Sequence, residues 1–147
     1  MARLVDIQEM LEKIAAFNHE FSKVKKKILD MQNINASAIN IISIIGDETM
    51  TLKEITEISE LDKSTISRQM NLLVKEGLVT RETGQDKRYS FFELSEKAKD
   101  IYKNYTHDFV KYVEDALIGW SEEEKQMFSV LIGRANYSLS PSISNKE

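Results

Sequence analysis

The sequence contains no cysteine. That absence excludes a disulfide framework, a thiolate zinc site and thiol-based redox sensing, and it fits a reducing compartment. Histidine is nearly absent too: His19 and His107 stand far apart, and no H-E-x-x-H, Walker or dinucleotide-glycine pattern accompanies them. No metal, cofactor or catalytic set is therefore predicted, and each histidine reads as an ordinary surface or interface residue. Long apolar runs are also missing. The longest, "INIISII" at Ile39 to Ile45, is far below the ~20 residues that span a bilayer. The first ten residues, "MARLVDIQEM", interrupt their apolar positions with Arg3, Asp6 and Glu9 and lack the continuous apolar region of a signal peptide. The expectation is a cytoplasmic protein with no membrane partner, in which the N-x-S/T triplets at Asn35, Asn104 and Asn136 are chance matches.

What is present suits one compact unit or a small domain with an elaboration. The chain has 147 residues, of which 41% are hydrophobic and 30% charged, and a chain of this size can bury roughly two thirds of the surface its unfolded form exposes. The net charge of −4 argues weakly against nucleic acid, but its distribution matters more than its sum. From Lys63 to Phe91 the chain carries Lys63, Arg68, Lys75, Arg81, Lys87 and Arg88 against Glu76, Glu82 and Asp86. One basic segment thus sits in an otherwise acidic chain, an asymmetry that steers an anion to one region.

Hydrophobic periodicity outlines the elements. Ile7, Met10, Ile14, Phe17, Phe21, Val24, Ile28 and Met31 alternate steps of three and four without Gly or Pro, which predicts a long helix with a heptad stripe in need of a partner. The run "KVKKK" at Lys23 to Lys27 reads as a solvated face of that helix. A second helix is predicted from Ala36 to Ile45, ended by Gly46. Thr51 and Glu54 form a capping box that opens a short third helix to Ser59, and Asp62 caps a fourth that Gly77 stops. Beyond Gly77, "LVTRET" and "RYSFFEL" flank "GQDK", extended segments around turn chemistry that predict a hairpin. Ser95 caps a long helix closed by Gly119, and the capping box Ser121/Glu124 opens the last one, bearing Met127, Phe128, Leu131, Ile132 and Ala135. Residues 139–147 hold the single proline and are expected to be disordered.

The fourth helix carries the functional signal. At 100° per residue, Ile66, Met70, Leu73 and Gly77 share one direction within about 40°. Ser64, Ser67, Arg68, Asn71 and Lys75 fall around the opposite one, and no acid lies among them. Taken alone, this is as readily an ordinary amphipathic surface helix. Its context is a short helix, the turn "SELD", this helix and then a hairpin tipped with Lys87 and Arg88, the order of a winged helix-turn-helix. A recognition helix meets bases through its N-terminal residues, and a wing arginine is drawn by the negative potential of a narrow minor groove.

The residues from Met50 to Asp100 closely resemble the winged helix-turn-helix core of the MarR family of regulators. The resemblance rests on the Ser/Thr-rich start of the fourth helix and on the passage L-x-x-x-G-L-V-x-R at Leu73, Gly77, Leu78, Val79 and Arg81. It also includes the wing's D-x-R at Asp86 and Arg88 and the L-S-E-K step at Leu94 to Lys97. Ala98 stands where the family frequently has glycine, and the wing is about one residue shorter than the common pattern. The resemblance implies a mainly α fold with a small β-hairpin wing. Residues 35–94 would form the DNA-binding region, and residues 1–34 and 95–138 a helical dimerisation region. It implies a homodimer that binds double-stranded DNA at a pseudo-palindromic operator, as a repressor. The implied DNA-binding residues are Lys63, Ser64, Thr65, Ser67, Arg68, Asn71, Lys75, Lys87 and Arg88, with Asp86 supporting Arg88. A winged-helix protein-interaction module without DNA is the alternative.

The aromatic stripe Tyr102, Tyr105, Phe109 and Tyr112, with Phe17 and Phe21, has two readings. One is core or dimer packing. The other, implied by the resemblance, is a pocket for a small amphipathic or aromatic effector, lined by Phe17, Phe21, Tyr102, Tyr105 and Phe109.

Overall fold

A computed structural model of the chain describes residues 4–83 and 90–140. In chain order its elements are α1 (Ile7–Gln32), α2 (Ala36–Ile45), β1 (Met50–Thr51), α3 (Leu52–Ser59) and α4 (Lys63–Lys75). They continue with β2 (Val79–Thr83), β3 (Ser90–Leu94), α5 (Glu96–Ala116) and α6 (Glu122–Leu139). The described residues fall into two compact units, one ending at Val110 and one beginning at Lys111. The fold is the expected one, mainly helical with a small antiparallel sheet. Among the described residues no single helix is long and apolar enough to cross a membrane.

The helix starts follow from local hydrogen bonding. Asp6 caps α1 by accepting from the Gln8 amide, and Asn35 caps α2 by accepting from Ala38 at 2.7 Å. Both predicted capping boxes are complete, Thr51 with Glu54 and Ser121 with Glu124, so each opening turn satisfies donors that would otherwise be orphaned. Ser95 caps α5, its Oγ accepting from the Ala98 amide at 3.2 Å. The helix ends are less uniform. Gly46 takes φ 55° and ψ −131°, a positive-φ backbone outside the left-handed helical well that was expected there. Gly77, with φ 77°, follows the cap of α4 as predicted. Gly119 does not close α5, which stops at Ala116; an irregular turn separates them. Glu60, at the end of α3, holds φ 60° and ψ 15°, a left-handed conformation that non-glycine residues adopt at a cost. It makes the tight corner between α3 and α4.

β1 is an addition to the expected hairpin. Only two residues long, it pairs with β3 through Met50 opposite Phe92 and Thr51 opposite Phe91, giving the sheet order β1-β3-β2. A strand this short has no periodicity to read. β2 and β3 pair antiparallel from Val79 opposite Leu94 to Thr83 opposite Ser90.

The core is a single cluster. Ile41, Ile42 and Ile45 of α2, Ile55 of α3, and Ile66, Met70 and Leu73 of α4 close against Val79, Phe92, Leu94 and Ala98. Ala98 is fully buried, so the methyl in place of the family's frequent glycine is accommodated in the core. The stripe on α1 is covered only at its end. Ile28 of the stripe is buried, as is its neighbour Leu29, while Met31, the last residue of the stripe, is 63% exposed. Helix α6 buries none of its residues, and it runs to Leu139, one residue into the segment expected to be disordered. Ser140 caps the helix, and residues 141–147 lie outside the described residues.

Candidate nucleic-acid interface

Helix α4 is held from beneath and left open above. Ile66 and Met70 are completely buried and Leu73 nearly so, each contributing roughly 1.5–3 kcal/mol of burial. Lys63, Ser64, Arg68, Asn71 and Lys75 are exposed and Thr65 and Ser67 half-buried, so all seven lie on or beside the open face. Asp86, Lys87 and Arg88, the predicted wing tip, lie outside the described residues.

The hydrogen bonds add detail to this face. Asp62 does more than cap. Its Oδ1 accepts from Ser64 Oγ at 2.6 Å and from the Thr65 amide at 2.8 Å, and its Oδ2 accepts from Thr65 Oγ1 at 2.8 Å. The Ser64 hydroxyl, then the Thr65 amide and hydroxyl, hold the Asp62 carboxyl well below the usual carboxylate range. The hydroxyl protons of Ser64 and Thr65, two of the residues expected at DNA, are donated to Asp62, and their oxygens keep acceptor lone pairs. The first turn of α4 therefore has an ionised carboxylate immediately before it. Arg68, whose Nη2 donates to Thr65 Oγ1 at 3.4 Å, adds a favourable charge that lowers the pKa of the carboxyl further.

A residue outside the predicted set also reaches α4. Arg81 of β2 donates from Nη2 to Asn71 Oδ1 at 2.7 Å, and its guanidinium carbon stands 5.2 Å from the centre of the Phe92 ring. From the sequence Arg81 was visible as one of the basic residues between Lys63 and Phe91 and as part of the passage into the wing. The period of two could have found it: Val79 faces the core, so Arg81 shares that face, directly opposite the buried Phe92.

The predicted effector residues come together as a chain of rings along α1 and α5. Centroid separations are 5.8 Å for Phe17–Phe21, 5.3 Å for Phe21–Phe109, 5.7 Å for Phe109–Tyr105 and 6.2 Å for Tyr105–Tyr102. Phe17 and Phe21 are close to half-exposed. Burial, and to a lesser extent Tyr102, pushes the Tyr105 phenol up from its ordinary value, so it is a neutral donor at physiological pH. Nearby, Gln32 Nε2 donates to Asp108 Oδ2, tying the end of α1 to α5. A separate hollow of about 360 Å³, lined by Thr51, Leu52, Lys53, Thr56, Glu57, Lys63 and Ser90, opens beside the first turns of α3 and α4. No sequence pattern announces it, since its walls come from four separate elements, β1, α3, α4 and β3. His19 and His107 are exposed, and among the described residues no group of three or more His, Cys, Asp or Glu stands close enough to hold a metal.

Helix, turn, helix and two strands in this order, packed on one core, define a winged helix-turn-helix protein. Residues 29–88 match the family model described as the MarR family. Two Bacillus subtilis (strain 168) proteins, each named as an uncharacterized HTH-type transcriptional regulator, are similar in sequence. YwoH is 32% identical over 82 residues, 56% of this chain and 60% of that protein. YxaD is 35% identical over 86 residues, 58% of this chain and 60% of that protein. The chain thus matches about 60% of the length of these curated relatives. A MarR family protein from Bacillus stearothermophilus superposes with a TM-score of 0.82 at 18% identity, covering 90% of this chain and 94% of that one. A mutant MarR from E. coli complexed with operator DNA gives a TM-score of 0.67 at 19% identity, covering 91% and 99%. At such identities the structural likenesses establish the fold.

Proposed function

We propose that this protein is a sequence-specific regulator of transcription that binds double-stranded DNA as a homodimer. The observation that carries this reading is the open flank of α4. Arg68, Asn71 and Lys75 project from a helix whose opposite side is locked into a winged-helix core, and no acid interrupts them between Lys63 and Lys75. Residues 35–94 act as the DNA-binding region, with Arg68, Asn71, Lys75 and Lys63 toward the groove and backbone and Arg88, supported by Asp86, in the adjacent minor groove. The operator-bound E. coli MarR supports this use of the fold.

Two features favour the dimer. The α1 stripe leaves Ile7, Met10, Ile14, Phe17 and Phe21 exposed, and α6 leaves Met127, Val130, Leu131 and Ile132 exposed. Residues 1–34 and 95–138 accordingly form the dimerisation region, and two recognition helices meet half-sites about one turn, ~34 Å, apart. The protein works in the cytoplasm as a repressor. An amphipathic aromatic compound stacking on Phe17, Phe21, Tyr102, Tyr105 and Phe109 releases the operator by favouring a dimer with displaced reading helices.

Selection of bound duplexes from randomised DNA, followed by titration of the winning sequence, tests this. Enrichment of a pseudo-palindrome bound by two chains is the expected result. Failure to enrich any sequence, together with a flat response to salt, would instead favour a protein-interaction module.

A further inference from the structure

We infer that Arg81 is a positioning residue for sequence reading, which holds the side-chain oxygen of Asn71 toward β2 and leaves the amide protons as the groups Asn71 presents to DNA. This rests on the DNA-binding reading above. Arg81 lies on the core-facing side of β2, opposite Phe92, with its guanidinium over that ring at 5.2 Å and an Nη2–H donated to Asn71 Oδ1 at 2.7 Å. The guanidinium has five N–H donors, no acceptor, and a permanent charge. Whichever atom of the Asn71 amide faces it must therefore be the oxygen. A charge-assisted bond of this kind is stronger than one between neutral partners, and the ring contact restricts the planar group further.

The consequence is chemical. A free asparagine on a recognition helix pairs with adenine by accepting from N6 and donating to N7. Here one lone pair of that oxygen is taken by a charge-assisted bond and the oxygen is held toward Arg81, so the two amide protons are the side of the group turned away from β2. An amide that presents its donors matches the acceptor edges of guanine (N7, O6) or thymine (O4) in the major groove. It meets an unfavourable donor at adenine N6 and at cytosine N4. Asn71 thus selects guanine or thymine, and Arg81, without touching the base, imposes that choice.

Two measurements on the full-length protein test this. The first needs no DNA: the Asn71 side-chain amide resonances are compared between wild type and Arg81→Met, which keeps an apolar stem over Phe92. A shift confined to Asn71 and its neighbours is expected, and unchanged Asn71 resonances would overturn the inference whatever the protein binds. The second is selection from randomised duplexes. Wild type should show a position, lost in Asn71→Ala and in Asn71→Asp, where guanine or thymine is preferred over adenine by at least about fivefold, the lower end of what a good base contact supplies. Arg81→Met should lose or redirect that preference toward adenine. The lost positive charge will weaken all sequences alike and leave a base ratio unmoved. Selection of adenine or cytosine there by wild type, no position that depends on Asn71, or the wild-type preference retained in Arg81→Met would each overturn the inference. Absence of any selection by wild type would overturn the DNA-binding reading instead.

Discussion

Helices α4 and α6 both carry apolar residues at helical spacing, yet they end in opposite situations. Ile66 on α4 is fully buried, whereas Leu131 on α6 is 53% exposed and no residue of α6 is buried. Helix α4 has α2, α3 and β2 packed around it; α6 contributes none of the buried residues of the winged-helix core. The apolar stripe of a helix states that cover is needed. It does not state whether the same chain provides it, and the difference between these two helices separates an apolar face that the chain covers from one that it leaves exposed.

The largest expected effect concerns the open side of α4. If a dimer neutralises about 6 to 10 phosphates there, affinity for the operator falls by ~10³ to 10⁵ between 50 and 200 mM salt; fluorescence anisotropy across that range measures it, and a flat curve contradicts phosphate binding. On the closed side, Ile66→Ala removes a fully buried side chain and should cost about 2–5 kcal/mol in a urea titration. A smaller loss would mean that α4 is less tightly seated than its burial indicates. Arg68→Ala is expected to weaken operator binding by about 1–3 kcal/mol with an unchanged circular dichroism spectrum, whereas Lys13→Ala on α1, paired only with Glu9 at its surface, should leave binding unchanged. Equal losses from both would show that α4 is not the reading helix.

On the other side of the comparison, Leu131→Ala should alter the stability of the isolated chain by no more than about 0.5 kcal/mol, yet shift the monomer–dimer equilibrium toward monomer in sedimentation runs. A dimer of unchanged strength argues against α6 as part of the interface.

The smallest effect is at Asp62. Its carboxyl is depressed in the folded chain by Ser64 and Thr65, so the stability it adds is present above its unfolded value, ~4, and is lost as the pH falls below that. Asparagine also caps helices well, so Asp62→Asn isolates the charge. The stability gap between wild type and Asp62→Asn should be widest above about pH 4 and narrow below it; a gap that stays constant down to pH 3 would exclude the Asp62 carboxylate as its source.

Much of the fold was readable because its signals are local. Asp62, Thr51 with Glu54, Ser95, and Ser121 with Glu124 each act on amides two or three residues away, and all four caps form as spaced. The buried side of α4 was readable for the same reason, since Ile66, Met70 and Leu73 are fixed by the 3.6-residue period. Where a position depends on remote neighbours, reading failed. β1 exists because Met50 and Thr51 meet Phe92 and Phe91, some forty residues on. Leu29, outside the stripe, is buried, and Gly119 lies past the end of the helix it was expected to close.

The candidate site divides in the same way. Lys63, Ser64, Thr65, Ser67, Arg68, Asn71 and Lys75 share the open flank of α4 because helical geometry places them there, and the sequence alone determines that. Their hydrogen-bonding roles are not contained in that periodicity. Asp62 takes the protons of Ser64 and Thr65 through the geometry of one cap, and Arg81 takes the oxygen of Asn71 through the packing of β2 against α4. The sequence by itself determined which elements form and which face of α4 is polar, because those depend on neighbours within a turn. Only the tertiary structure decided which donors and acceptors that face still offers, because that depends on a strand brought alongside the helix by the closing of the core.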